Sequence, residues 1–151
     1  MRDDIDGIMH VMEAAFDPQW GEAWNRRQLS DSLVLPHIHY TLVDSGGNYP
    51  DGCKSAAGFT LTKYVAQEEE ILLIAVDPRH RGKGLARQLL NRCFTDAAQR
   101  GAERIFLEMR ENNPARALYE ALGFCPIGRR ENYYTGKDGT RIDAITFAKK
   151  L

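Results

Sequence analysis

The sequence predicts one domain of the mixed α/β (α+β) class over residues 1–151, on three observations. Ile71-Leu72-Leu73-Ile74-Ala75-Val76 is an unbroken apolar run of strand length, and Pro78, which has no N–H to donate to a ladder, stops it at about Asp77. A glycine turn, Arg81-Gly82-Lys83-Gly84, then opens a stretch in which Leu85, Leu89, Leu90, Cys93, Phe94 and Ala97 share one face of a 3.6-residue helix ended by Gly101. Strands and helices alternate through the middle of the chain, and segments that read as antiparallel strands flank them.

Each element has its own signal. Asp3 and Asp4 stand where an N-cap would, and Ile5, Ile8, Met9, Met12 and Phe16 follow at helical spacing until Asp17-Pro18 breaks the helix. Gln19 to Asn25 is a loop carrying Trp20 and Trp24. A second helix is expected from Arg26 to Leu35, with Leu29, Leu33 and Val34 inward and Pro36 beyond its end. His39 to Val43 reads as a strand, Asp44 to Gly52 as a turn-rich loop and Ala56 to Val65 as the returning strand; a turn over Gln67 to Glu70 leads into the apolar run. Beyond Gly101, Ile105, Leu107 and Met109 alternate with Phe106, Glu108 and Arg110, a strand with two unlike faces. Asn112-Asn113-Pro114 opens a helix in which Ala115, Leu118, Tyr119 and Leu122 share a face, and Gly123 ends it. Phe124 to Arg129 and Arg141 to Ala148 close the chain as a hairpin with Asp138-Gly139 at its tip.

Composition narrows the function classes. A 43% hydrophobic, 27% charged chain is that of a globular protein, and a net charge of −1 supplies no overall field for nucleic acid or an anionic membrane. No apolar stretch approaches a membrane span, and the acidic start is unlike a signal peptide. Cys53, Cys93 and Cys125 are far apart and form no C-x-x-C pair, and the four histidines show no ligand spacing, so neither a metal site nor a disulfide framework is expected; a reducing cytoplasm fits.

The local charge lies after Pro78. A glycine turn at a helix N-terminus presents unpaired N–H donors and the positive end of the dipole, which suits a phosphate, and Arg79, Arg81, Lys83 and Arg87 add cations. G-x-x-x-x-G-K-[ST] is absent, and G-x-G-x-x-G would need glycine where Arg87 stands. Val76-Asp77-Pro78 followed by Arg81-Gly82-Lys83-Gly84-Leu85-Ala86 resembles instead the [RQ]-x-x-G-x-[GA] acetyl-CoA signature of the GCN5-related N-acetyltransferases. The resemblance implies a central mixed, mostly antiparallel sheet with helices on both faces and two neighbouring strands that splay apart around the co-substrate. It implies acetyl-CoA as that co-substrate, with its pyrophosphate on the N–H groups of Gly82, Lys83, Gly84, Leu85, Ala86 and Arg87 beside Arg81, and its pantetheine arm along Leu73, Ile74, Ala75 and Val76. Members usually begin with a strand before the first helix, and that strand is expected to be missing or very short.

Acetyl transfer from a thioester to an amine needs an uncharged nucleophile, donors for the developing oxyanion and a proton for the departing thiolate. Backbone N–H groups near Ile74 to Val76 suffice for the second. Glu108 is the candidate base, a carboxylate interrupting an apolar strand that otherwise pairs with arginine or solvent, and Tyr119 the candidate acid, a phenol that otherwise packs with Ala115 and Leu122. Leu107-Glu108-Met109-Arg110 is similar to the L-E-V-R of the bacterial ribosomal-protein-alanine N-acetyltransferases, whose glutamate is the base. Asn112 to Phe124 resembles the family's N-x-x-A-x-x-L-Y-x-x-x-G-F, which implies Tyr119 as acid and Asn112, then Asn113, on the co-substrate. With Asn112 as the family's asparagine, the interval from Glu108 is one residue shorter than in that type. Gly128-Arg129-Arg130-Glu131-Asn132-Tyr133-Tyr134, Asp138-Gly139 and Asp143-Ala144-Ile145 resemble the same type's C-terminal segment, so Tyr133 and Tyr134 are candidate acceptor contacts; on their own they also read as plain cross-strand packing.

The reading is an acetyl-CoA-dependent transferase acting on a protein N-terminus, that of a ribosomal small-subunit protein starting with alanine. Three readings compete: a transferase for a small amine or lysine side chain, a CoA-binding module without turnover, and a plain nucleotide binder.

Overall fold

A computed structural model describes residues 2–151. Two helices come first, α1 (Arg2–Ala15) and α2 (Arg26–Leu33), then strands β1 (Ile38–Val43), β2 (Gly58–Val65) and β3 (Glu68–Val76). Helix α3 (Leu85–Arg100), strand β4 (Arg104–Arg110) and helix α4 (Arg116–Ala121) follow, and β5 (Cys125–Thr135) and β6 (Arg141–Lys150) end the chain. The six strands form one sheet in the order β1-β2-β3-β4-β6-β5, antiparallel throughout except for the parallel pair β3–β4. Among the described residues no helix is long and apolar enough to cross a membrane.

Helices cover both faces. On one, Ile8, Val11 and Met12 of α1 and Leu29 of α2 pack with Leu42, Phe59, Leu61, Leu73 and Ala75. On the other, Leu90 and Cys93 of α3 and Tyr119 of α4 pack with Ile71, Ile105, Leu107, Ile145 and Phe147, while Leu85 and Leu89 seal Val43 and Ala57. Each such fully buried aliphatic or aromatic side chain contributes about 1.5–3 kcal/mol. The far end of α3 is tied to the sheet by Arg100, whose Nε donates to the fully buried Glu69 at 2.9 Å.

Several boundaries differ from the sequence reading. Asp4 is no N-cap: α1 begins at Arg2, and Asp4, buried, accepts from the hydroxyls of Tyr40 and Tyr49. Helix α2 stops at Leu33, so Val34 is the C-cap and 81% exposed rather than inward. The strand expected from Ala56 begins at Gly58, after a short 3-10 turn over Cys53–Ser55. The turn before the central strand is at Ala66 and Gln67, both at positive φ, so β3 starts at Glu68 and the glutamates thought to turn are inside the ladder. Neither residue type signals such a two-residue hairpin turn as Asn-Gly would. Helix α4 begins at Arg116, with Asn113 Oδ1 accepting from Ala115 N–H at 2.8 Å ahead of it. Strand β5 runs to Thr135, well past Arg129. No strand precedes α1 among the described residues.

Candidate active site

The site is where the sheet comes apart. Parallel β3 and β4 pair at Glu68 with Arg104, Glu69 with Ile105 and Glu70 with Phe106, and at no later residue. From Ile71 to Val76, β3 keeps its β2 partner and has no strand on the other side; Leu107 to Arg110 likewise pair only with β6. The wedge opens into two adjoining compartments, one of about 710 Å³ toward the start of α3 and one of about 290 Å³ beneath β5.

The larger compartment is bounded by Ile74, Ala75 and Val76 on one side, Asn112 and Pro114 on the other, and Arg81 and Ala86 at its end. Its floor follows from local chemistry. Asp77, 1% exposed, accepts from Arg79 N–H at 3.0 Å and pairs with the Arg79 guanidinium at 2.7 Å, which locks the turn after the strand. The Arg79 side chain and the buried carboxylate's other contacts hold the Asp77 carboxyl down at about 2. Arg79 is thereby turned back on the protein, and Arg81 faces the compartment. Gly82 and Gly84 have φ of +79° and +78°, which L side chains resist, and the space beside both is open. Gly84 caps α3, and the N–H groups of Leu85, Ala86 and Arg87 are first-turn donors without a carbonyl inside the helix. The Leu85 side chain is buried, and Lys83 Nζ lies 3.5 Å from His80 Nδ1. A diphosphate fits this floor: bare backbone donors, a helix dipole and the Arg81 guanidinium.

Tyr119 borders both compartments, as do Ile74 and Asn113, so the phenol stands at their junction. It is 5% exposed, and its ring meets Phe124 edge-on at 5.7 Å. Burial, then the neighbouring Cys93 and Glu22, push the phenol's pKa up, so it keeps its proton. Asn112 accepts from Arg110 Nη1 at 2.8 Å and lines only the larger space; Asn113 reaches the junction.

The smaller compartment holds Glu108, Tyr133 and Tyr134 together with Leu73. Glu108 Oε2 is ion-paired with Arg130 Nε at 3.1 Å and accepts from the Thr146 hydroxyl at 3.5 Å. Tyr133 and Tyr134 stack edge to face at 5.2 Å, and the Arg130 guanidinium lies 5.0 Å over the Tyr133 ring. Burial, then Glu22 and Glu108, push the Tyr134 phenol up to about 12.

A pair of compartments meeting at a protonated tyrosine, one floored by backbone donors, is an arrangement for group transfer from a large phosphorylated carrier. The acetyltransferase (GNAT) family model matches residues 5–124. The chain belongs to that family. This acetyltransferase is 32% identical over 146 residues to the [ribosomal protein bS18]-alanine N-acetyltransferase of Escherichia coli K12, covering 96% of this chain and 90% of the relative. The crystal structure of the ribosomal-protein-S18-alanine N-acetyltransferase from Escherichia coli superposes with a TM-score of 0.79 at 31% identity, over 98% of this chain and 88% of that one. Arabidopsis thaliana NAA60 in complex with acetyl-CoA shares the fold, with a TM-score of 0.69 at 20% identity over 85% and 84% of the two chains. The acetyltransferase therefore uses acetyl-CoA, and it is an N-acetyltransferase.

Several residues that line the smaller compartment were given no site role by the sequence reading, Glu22, Trp24 and Glu70 among them. Glu22 and Trp24 come from the loop between α1 and α2, and Glu70 comes from β3. Glu22 is paired with Arg110 at 2.9 Å, and Trp20 lies under the same guanidinium at 5.1 Å. Burial, with Glu108 nearby, raises the Glu70 pKa. The one available signal was a run of three glutamates leading directly into an apolar strand.

Proposed function

We propose that this acetyltransferase modifies the N-terminal α-amine of a protein, a ribosomal small-subunit protein that begins with alanine. The observation that carries the reading is Tyr119 at the junction of the two compartments. Its buried, protonated phenol is suited to give a proton to the departing thiolate. The developing oxyanion falls to those backbone N–H groups of β3 near Ile74 to Val76 that face away from β2, on the side where β3 has no strand. Gly82, Lys83, Gly84, Leu85, Ala86 and Arg87, with Arg81, would hold the pyrophosphate, and Asn113 and Asn112 border the thioester arm. Glu108 takes the amine's proton, directly or through water; a peptide α-amine with a pKa of roughly 7.7–8.0 asks little of its base. Tyr133 and Tyr134 hold the acceptor backbone by stacking and hydrogen bonding. The acceptor assignment draws on what the Escherichia coli relative is named for, and on an aromatic, carboxylate-lined compartment suited to a cationic chain end.

Mass spectrometry of protein N-termini from cells with and without the gene tests it: an alanine-starting ribosomal N-terminus should lose its acetyl group in the deletion. Offering the purified enzyme an alanine-starting peptide and a free polyamine in one assay separates the small-amine reading; preference for the polyamine overturns the proposal. Absence of any turnover with both would favour a CoA-binding module.

A further inference from the structure

Tyr133 and Tyr134 are adjacent on a strand, where successive side chains point to opposite faces. Their rings nevertheless meet at 5.2 Å, and both line the same compartment. The cause is a bulge. Arg130 pairs with Ala144 and Tyr134 with Ile142, so β5 spends four steps where β6 spends two, and Asn132 takes a φ of +53°.

The bulge is pinned at its middle. Asn132 N–H donates to Asp143 Oδ1 at 2.8 Å, and Arg141 Nη2 donates to the Asn132 carbonyl at 3.2 Å, so both sides of that residue are held. Asp143 Oδ2 takes Arg129 Nη1 at 2.5 Å, and Arg129 also reaches Glu111 at 3.1 Å. One limb of the bulge carries Arg130 onto Glu108; the other carries the two tyrosines. The same turn of backbone thus sets the candidate base and the candidate acceptor contacts.

We propose that Asp143 is a positioning residue for the acceptor: by holding the Asn132 amide and Arg129 it fixes the bulge that brings Tyr133 and Tyr134 to one compartment. It lines neither compartment itself. The proposal rests on the reading of the smaller compartment as the acceptor site. Because the Asn132 N–H and Arg129 also hold the Asp143 carboxyl below the usual carboxylate range, the pin is charged at every pH at which the enzyme would be assayed.

The test uses the full chain, acetyl-CoA and an alanine-starting peptide. Asp143→Ala should raise the peptide KM about tenfold, the size of one charge-assisted hydrogen bond, with acetyl-CoA affinity by calorimetry unchanged. Asp143→Asn keeps an oxygen for the Asn132 N–H and should recover most of the peptide KM while losing the Arg129 pair. A residue that only stabilised the fold would lower the thermal midpoint and the active fraction in both variants and leave KM alone. Unchanged peptide KM in a folded Asp143→Ala, or equal loss in the two variants, overturns the proposal; if Asp143→Ala does not fold, the Asn variant decides it by its KM together with amide exchange at Asn132, which must stay protected. Failure of the wild type to acetylate the peptide would instead sink the acceptor reading on which it rests.

Discussion

The two compartments of the split sheet are made in different ways. The floor of the larger one is a single continuous stretch from Ile74 to Arg87, and its donors are backbone N–H groups exposed by two glycines and a helix start. The smaller one is assembled from Glu22, Glu70, Glu108 and the pair Tyr133–Tyr134, segments distant in sequence and joined by ion pairs and a bulge. Recognition of a co-substrate common to a family can rest on main chain alone. Recognition of a particular acceptor needs side chains, and these must be positioned by tertiary structure.

Changes at the junction should break this division of labour hardest. Tyr119→Phe keeps the ring packed on Phe124 and removes the proton, so kcat should fall about 100-fold or more while acetyl-CoA affinity by calorimetry holds. An unchanged kcat would remove the acid role. Glu108→Gln acts within the smaller compartment, the proposed acceptor site. Its turnover should be about tenfold down at a pH well below the amine's pKa of roughly 7.7–8.0 and converge on wild type above it, in steady-state rates across pH. A deficit independent of pH would argue for a binding role.

The larger compartment, the proposed co-substrate site, should respond to backbone changes instead. Gly84→Ala meets no steric obstacle, so its penalty is the left-handed φ alone, about 1–2 kcal/mol in urea unfolding, with weaker acetyl-CoA binding and an unaltered peptide KM. Gly84→Asn, which tolerates that conformation better, should recover part of both. The remaining effect is on stability in acid. The Asp77 carboxyl is lowered from 3.8 to about 2 in the fold, so its stabilisation is fully present above about pH 4 and is lost as pH falls through 2. Urea midpoints of Asp77→Asn should therefore lie below wild type at neutral pH and show a shallower decline between about pH 4 and 2.

The same division decided what could be read from the sequence. The strand, the glycine turn and α3 were legible because proline, glycine and a 3.6-residue apolar period act locally, and the six helix-face residues named from spacing do turn inward. The separation of Ile105, Leu107 and Met109 from Glu108 was legible from alternation. Glu70 was not, because the turn before it uses Ala66 and Gln67 at positive φ, and sequence placed the strand's start too late. Val34 looked like a core residue by spacing, yet the helix had already ended at Leu33. The bulge in β5 was hidden for a similar reason: alternation assigns Tyr133 and Tyr134 to opposite faces, and only the partner strand's Asp143 reveals otherwise.

The short pairing of β3 with β4 has one more consequence. Along the split, main-chain amides and carbonyls of β3 and β4 have no strand beside them in the middle of the sheet, a place normally reserved for an outer margin. Whatever lies in that split completes the fabric as an added strand would, so melting temperature should climb with the supply of acetyl-CoA, and the enzyme's persistence in a cell becomes tied to the abundance of the molecule it consumes.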